Sequence, residues 1–91
     1  MLKQTGLTTT STAYELPYGE GVIVVSSAST LTSAVEISIA DDIWVPDKDN
    51  TAPSANGAYT VAIGAKGKVR LNVSAGSCTL QILGQRPEKS R

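Results

Sequence analysis

The feature that most constrains this 91-residue chain is a run of alternating side chains between residues 57 and 83. Apolar residues recur at every second position in successive short segments, and a period of two is typical of a β-strand with one buried face. Glycines at Gly64, Gly67 and Gly76 separate the segments, because glycine adopts the positive φ that tight turns require. The pattern predicts three antiparallel strands joined by two short hairpin turns. Their predicted core positions are Tyr59, Val61 and Ile63, then Val69, Leu71 and Val73, then Cys78, Leu80 and Ile82.

Two upstream segments add further strands. Residues 22–25 are continuously apolar, which is typical of a strand that is covered on both faces or that lies at a subunit contact. Residues 35–40 alternate again, so Val35, Ile37 and Ile39 are predicted to face the core. These segments must cover the apolar face of the strands that follow them.

The composition limits how the core can be built. The chain has no Phe, one Trp and three Tyr, so Val, Ile, Leu and Ala must fill most of the core. Trp44 lies in a short strand that ends at Pro46, and it is predicted to plug one end of the core; a solvent-facing ligand platform is the alternative. Six or seven short strands without any helical period predict an all-β fold, a small antiparallel β-sandwich or jelly-roll-like barrel.

The sequence divides into three parts. Residues 1–13 are predicted to form an extended N-terminal arm, residues 14–85 the β-sandwich domain, and residues 86–91 a charged C-terminal tail. The arm is rich in threonine and has Leu2 and Leu7 as its apolar anchors. It cannot order itself alone, so we expect it to lie along its own domain or to reach another subunit.

The charged and reactive side chains argue against catalysis. The chain has no histidine, and its carboxylates are scattered over turns and exposed strand positions, so we expect it not to be an enzyme. Cys78 falls on the apolar face of its strand and is predicted to be a small buried hydrophobe. Residues 47–50 offer oxygen ligands but lack the glycine and glutamate of a calcium loop, and we expect no metal or cofactor.

Charge and hydropathy narrow the possible partners. Eight basic and eight acidic residues cancel, without the basic patch that is typical of a nucleic-acid-binding protein. No apolar run is long enough for a membrane span, and the first residues lack the apolar centre of a signal peptide. We therefore expect no nucleic-acid or membrane partner and synthesis in the cytoplasm.

Part of the sequence resembles a known family. The strands VEISI and IWVP are followed by a strand entered through NGAY, by VRLNVS at residues 69–74 and by GSCTL at residues 76–80. This order resembles the small β-sandwich modules of tailed-bacteriophage virion proteins: head-decoration, head-fibre and tail accessory components. The resemblance covers about two thirds of the chain. It departs from the family at residues 41–44, where those modules often carry a longer glycine-rich hairpin.

The resemblance implies a virion protein without catalytic residues, made in the host cytoplasm. We expect a capsid decoration or cementing protein that binds the outer shell and bridges its subunits, with the major capsid protein and sister copies as partners in a homo-oligomer. The alternative is a tail or fibre module that recognises a host glycan or surface protein through residues 46–56, with Trp44 or Tyr59. The predicted partner-binding residues are Leu2, Leu7, Thr9, Val22, Val24, Lys66 and Lys68.

Overall fold

The computed structural model describes residues 1–27, 30–40, 42–47 and 56–85, and in these ranges it is built of strands. The predicted all-β class is confirmed. The eight strands of the described ranges exceed the predicted six or seven because part of the expected N-terminal arm is itself a strand. The strands are β1 (Leu2–Leu7), β2 (Tyr14–Leu16), β3 (Glu20–Ser26), β4 (Thr32–Ser38), β5 (Val45–Pro46), β6 (Gly57–Ala62), β7 (Gly67–Ala75) and β8 (Cys78–Gly84).

The strands form two four-stranded antiparallel sheets that pack as a small β-sandwich. The first sheet has the order β1-β8-β3-β6, and the second has the order β2-β7-β4-β5. Consecutive strands β6, β7 and β8 therefore alternate between the sheets, and the predicted hairpin pairing among them is wrong. A turn that crosses from one sheet to the other requires the same glycines and the same alternation as a hairpin, so the sequence pattern does not distinguish them.

The core lies between the sheets and is aliphatic, as the composition predicts. The inward positions of β7 and β8 are almost completely buried, which confirms the alternation in these strands. Leu31, at the entrance to β4, is also fully buried. The buried apolar residues are Leu7, Leu16, Ile23, Val25, Leu31, Val35, Val61, Val69, Leu71, Val73, Cys78, Leu80 and Ile82.

The N-terminal segment contributes to both sheets. β1 pairs with β8, and the register shifts between Gln4 and Leu7, where Gly6 has a φ of 61°. The chain then joins the second sheet: the Ser11 N–H donates to the Leu71 carbonyl at 2.8 Å, and the Leu71 N–H donates to Ser11 Oγ at 3.0 Å. Residues 2–16 therefore lie along their own domain, which was one of the two expectations for the arm.

The end of β4 differs from the sequence expectation. Ile37 is half-buried against the core, but Ile39 is 65% exposed. β4 ends at Ser38 and the chain bends over the next two residues, so the alternating pattern continues in the sequence after the strand has ended. The prediction that Ile39 faces the core is wrong.

Candidate interaction surfaces

The outer face of the first sheet carries an apolar patch. Val22 pairs with Leu83 and Val24 pairs with Gln81, and because cross-strand pairs share a face, all of these side chains lie outside the core. They line a shallow depression of about 230 Å³, which we call the β3–β8 patch. Its residues are Met1, Val22, Val24, Gln81 and Leu83.

The β3–β8 patch distinguishes between the two interpretations of the apolar run at residues 22–25, cover on both faces or a subunit contact. Ile23 and Val25 are buried, whereas Val22 is half-buried and Val24 is exposed. Within the described structure the strand is covered on one face only, so the prediction of cover on both faces is wrong. The other interpretation, a subunit contact, stays a prediction.

A second apolar depression lies at the edge of the second sheet. Its volume is about 320 Å³, and we call it the β4–β5 groove. β5 is held beside β4 because the Asp47 N–H donates to the Val35 carbonyl at 2.8 Å and Val45 pairs with Ile37. The bend after β4 then places apolar side chains in solvent around this edge. The groove is lined by Ile37, Ile39, Ala40, Ile43 and Val45.

The exposed apolar side chains are concentrated in these two places. Seven large apolar side chains are exposed in the described ranges, and six of them line the β3–β8 patch or the β4–β5 groove. Scattered exposed hydrophobes are ordinary on a protein surface, but contiguous ones mark interaction sites. The six residues are Met1, Val24 and Leu83 in the patch, and Ile39, Ile43 and Val45 in the groove.

The outer face of the second sheet is polar and internally bonded. Arg70 Nε donates to Glu36 Oε1 at 2.7 Å, and both side chains are largely buried, with 27% and 18% of their surface exposed. Asn72 Nδ2 donates to Glu36 Oε2 at 3.5 Å, and Thr10 Oγ1 donates to Asn72 Oδ1 at 3.1 Å. These contacts link Thr10 to β7 and β7 to β4, and the charges of Arg70 and Glu36 neutralise each other within the chain.

Trp44 belongs to this polar face. The Arg70 guanidinium lies 4.1 Å from the centre of the Trp44 ring, a cation–π contact. Trp44 is half-buried and is not part of the core, so the prediction that it plugs the core is wrong. The reason is that Arg70 occupies an outward position of β7, and the indole covers it from outside. One face of the ring is therefore already occupied.

The predicted partner-binding residues do not form one surface. Val22 and Val24 lie together in the β3–β8 patch, but Lys66 and Lys68 lie at the second sheet and pair with Glu15 at 3.3 Å and Asp42 at 3.5 Å. These lysine pairs are exposed, so they contribute little to stability. The two lysines therefore already have partners within the chain.

The predicted arm residues have roles within the fold. Leu7 is only 7% exposed and belongs to the core, so it contributes little to the outer surface of the single chain, and its role as a partner contact stays a prediction. Leu2 is half-buried and packs against the core. Thr9 is exposed, and its carbonyl accepts a hydrogen bond from the Val73 N–H at 3.4 Å.

Sequence reasoning missed the exposed residues Leu83, Ile43 and Val45. A signal was present in each case. Leu83 directly follows Ile82, so two adjacent apolar residues interrupt an otherwise alternating strand, and one of them must face outward. Ile43 and Val45 flank Trp44 in a short apolar run next to Pro46, and a run that short and that close to a proline is a candidate for a sheet edge.

The reactive groups of the described ranges offer little chemistry. Cys78 is 4% exposed, which confirms it as a buried hydrophobe, and burial raises the pKa of its thiol. A protonated thiol is a poor nucleophile.

In the described ranges no group of three or more His, Cys, Asp or Glu could hold a metal ion, and no helix could cross a bilayer. Most of the loop at residues 46–56 and the tail at residues 86–91 lie outside the described residues.

Searches of protein-family models, curated proteins and solved structures found no match to this chain. The resemblance to phage virion modules therefore rests on the residue pattern alone.

Proposed function

We propose that this protein is a non-enzymatic virion structural protein, a capsid decoration or cementing protein that binds the outer shell of a tailed phage and bridges neighbouring subunits. The observation that carries the proposal is the concentration of six of the seven exposed large apolar side chains in two separate surfaces. A bridging protein needs two contact surfaces, whereas a protein with one ligand needs one. The β3–β8 patch and the β4–β5 groove supply two.

The β4–β5 groove suits the contact with the shell. It is concave and apolar, and Ile39 and Ile43, at its rim, are about two-thirds exposed. An apolar side chain of the major capsid protein that enters this groove would bury the surface that both proteins otherwise expose to water. Many copies on one shell, linked to their neighbours, gain avidity, so each single contact needs only a modest area.

The N-terminal segment does not serve as a detachable anchor in this proposal. Leu7 is in the core and Ser11 is bonded to β7, so removing residues 1–12 would destabilise the domain and would confound any test of attachment. Point substitutions on the surface are the better probes. Ile39, Ile43 and Val45 of the groove are exposed, so their substitution is expected to leave the fold intact.

The test is to incubate the purified protein with capsids that lack it, then to sediment and image the particles. We expect saturable binding over the whole shell. Ile43→Glu should weaken binding at least about tenfold, because it places a charge in an apolar contact. Thr8→Glu adds the same charge at an exposed position outside both surfaces and should bind as the parent chain does.

Two outcomes would overturn the proposal. One is binding only at a vertex or at the tail, or no binding at all, which would favour a tail or fibre module that recognises a host glycan or surface protein. In that case Trp44→Ala should abolish host binding without unfolding the protein. The other is full binding by a folded Ile43→Glu variant, which would remove the β4–β5 groove from the contact.

A further inference from the structure

The two sheets differ in whether their charged side chains form ion pairs. All three ion pairs of the described ranges involve the second sheet or the residues beside it: Lys66–Glu15, Lys68–Asp42 and Arg70–Glu36. On the first sheet, Lys3 and Glu20 form no ion pair among the described residues. These two charged side chains flank the β3–β8 patch, whose lining side chains are uncharged.

The register of the first sheet fixes where these two charges stand. Lys3 on β1 pairs with Gln81, and Glu20 on β3 lies beside Gln85, whose N–H donates to the Glu20 carbonyl at 2.8 Å. Both charges are on the outer face, since Lys3 is paired with an outward residue and Glu20 has the parity of Val22. On β8, Leu83 is midway between positions 81 and 85. Leu83 therefore lies at the midpoint between a positive and a negative charge.

Lys3 and Glu20 of one chain cannot meet each other. They stand two strands apart and four residues apart along the strand direction, which at ordinary sheet spacings is a separation of about 17 Å. A two-fold axis can, however, exchange the two positions. This axis lies in the plane of the face, passes through Leu83 and is perpendicular to the line from Lys3 to Glu20. Such an axis places Lys3 of each copy over Glu20 of the other.

We infer that the β3–β8 patch packs against the same patch of a second copy of this chain, around a two-fold axis at Leu83. Leu83 of one copy then meets Leu83 of the other, with Val22 and Val24 around them and the two Lys3–Glu20 pairs at the margins. This is an isologous contact, in which one surface is complementary to itself. It has an apolar centre and a charged rim, as protein interfaces do. The inference does not depend on the proposed function, since it concerns the isolated protein.

A second copy fits this face better than another partner because its two side-chain charges are equal, opposite and symmetrically placed about its most exposed aliphatic strand residue. A nucleic acid or an anionic surface would require an excess of one sign. Four strands about 20 Å long present a face of roughly 400 Å², which is smaller than a standard interface. We therefore expect a weak, reversible dimer.

The experiment is sedimentation velocity of the purified chain over a wide concentration range, with thermal unfolding of each variant as a check of the fold. Leu83→Glu should raise the dimer Kd at least about tenfold, because the axis brings the two introduced charges together. Thr8→Glu is the control: it places the same charge at an exposed position outside both apolar surfaces and should leave the Kd unchanged.

Charge reversal gives the sharper result. Lys3→Glu alone and Glu20→Lys alone should each raise the Kd about fivefold to twentyfold, since each replaces two attractions by two repulsions. The double variant Lys3→Glu/Glu20→Lys should return the Kd to within about threefold of the parent value. No contact within one chain can produce this rescue, because the two positions are too far apart.

The inference is overturned if the parent chain stays monomeric at millimolar concentration. It is also overturned if Leu83→Glu and Thr8→Glu affect the dimer equally, or if the folded double variant dimerises no better than the single reversals. Failure to bind capsids would leave this result untouched, and a failure to dimerise would leave the shell contact through the β4–β5 groove untouched. The two proposals can therefore fail separately.

Discussion

The outer faces of the two sheets are built on the same alternating strands but have opposite characters. The second sheet places Arg70, Glu36 and Asn72 in contact across neighbouring strands, and Trp44 covers Arg70. The first sheet places Val22, Val24 and Leu83 outward and leaves Lys3 and Glu20 without an ion pair among the described residues. One face is complete within a single chain. The other keeps exposed apolar area and two charges that have no ion-pair partner among the described residues.

This difference shows that the inward residues of a strand, which form the core, do not determine the character of its outward residues, which can contact a partner. The inward residues of both sheets serve the same core, so they are alike in type. The outward residues are free to differ, because solvent, a network within the chain and a neighbouring molecule are all acceptable environments for them. Function in a small sandwich of this kind is therefore read from its outward positions.

The first prediction tests whether neighbouring residues of β8 differ strongly in burial, as the contrast between the inner and outer faces requires. A thiol reagent should label the native Cys78 at least about 1000-fold more slowly than it labels Ser77→Cys in a Cys78→Ala background, because Cys78 is reached only by unfolding. Ser77 is its exposed neighbour. Absorbance-based thiol labelling with and without urea measures both rates, and comparable native rates would contradict the burial of this face.

The same thiol also predicts a dependence on pH. Burial raises the pKa of Cys78 in the folded chain, so in alkaline solution the unfolded chain loses this proton first. The thiol's contribution to folding stability is therefore constant at neutral pH and falls as the pH rises through the alkaline range. Urea unfolding of the parent chain should lose more stability between neutral and alkaline pH than that of Cys78→Ala, and an equal loss would contradict the prediction.

The second prediction compares two leucines of one strand. Leu80 is fully buried and Leu83 is 50% exposed. Leu80→Ala should lower the free energy of unfolding by about 2–5 kcal/mol, since it leaves a cavity in a small core, whereas Leu83→Ala should change it by less than about 0.5 kcal/mol. Urea denaturation at a protein concentration low enough to keep the chain monomeric measures both. A large loss for Leu83→Ala would mean that the β3–β8 patch serves the fold.

The third prediction concerns the polar face. Arg70→Ala removes the ion pair with Glu36 and the contact with Trp44, and should lower the free energy of unfolding by about 1–2 kcal/mol. Lys68→Ala, on the same strand and in an exposed pair, should cost less than about 0.5 kcal/mol. Thermal unfolding of both variants in low and high salt measures the two losses of stability and their dependence on charge screening. Equal effects would mean that the Arg70 network is no more than a pair of surface charges.

The sequence predicts the inward residues well and the pairing of strands poorly. Val69, Leu71 and Val73 are identifiable as core because burial imposes a period of two on the residues themselves. Nothing comparable marks which strands pair. β6 pairs with β3 and β7 pairs with β4, and these contacts join segments about 35 residues apart through backbone groups that every residue carries.

β1 and the candidate surfaces also depend on strand pairing, which the sequence pattern does not reveal. β1 has no alternation that would identify it as a strand, and it is held by backbone pairing with β8 at the far end of the described sequence. Val22 and Val24 were identified because they stand in a continuous apolar run. Leu83 and Met1 complete their patch only because the register of β1, β8 and β3 brings them together, and that register is a property of the folded sheets.

The position of β7 and β8 has a consequence for synthesis. Each occupies the interior of a sheet, yet they are the last two strands of the described chain. Before they leave the ribosome, only the pairs β3–β6 and β4–β5 can form, and an isolated two-stranded pair is marginally stable in water. The nascent chain must therefore keep its apolar strands unassembled until Gly84 has emerged, and the sandwich then closes in one late, cooperative step.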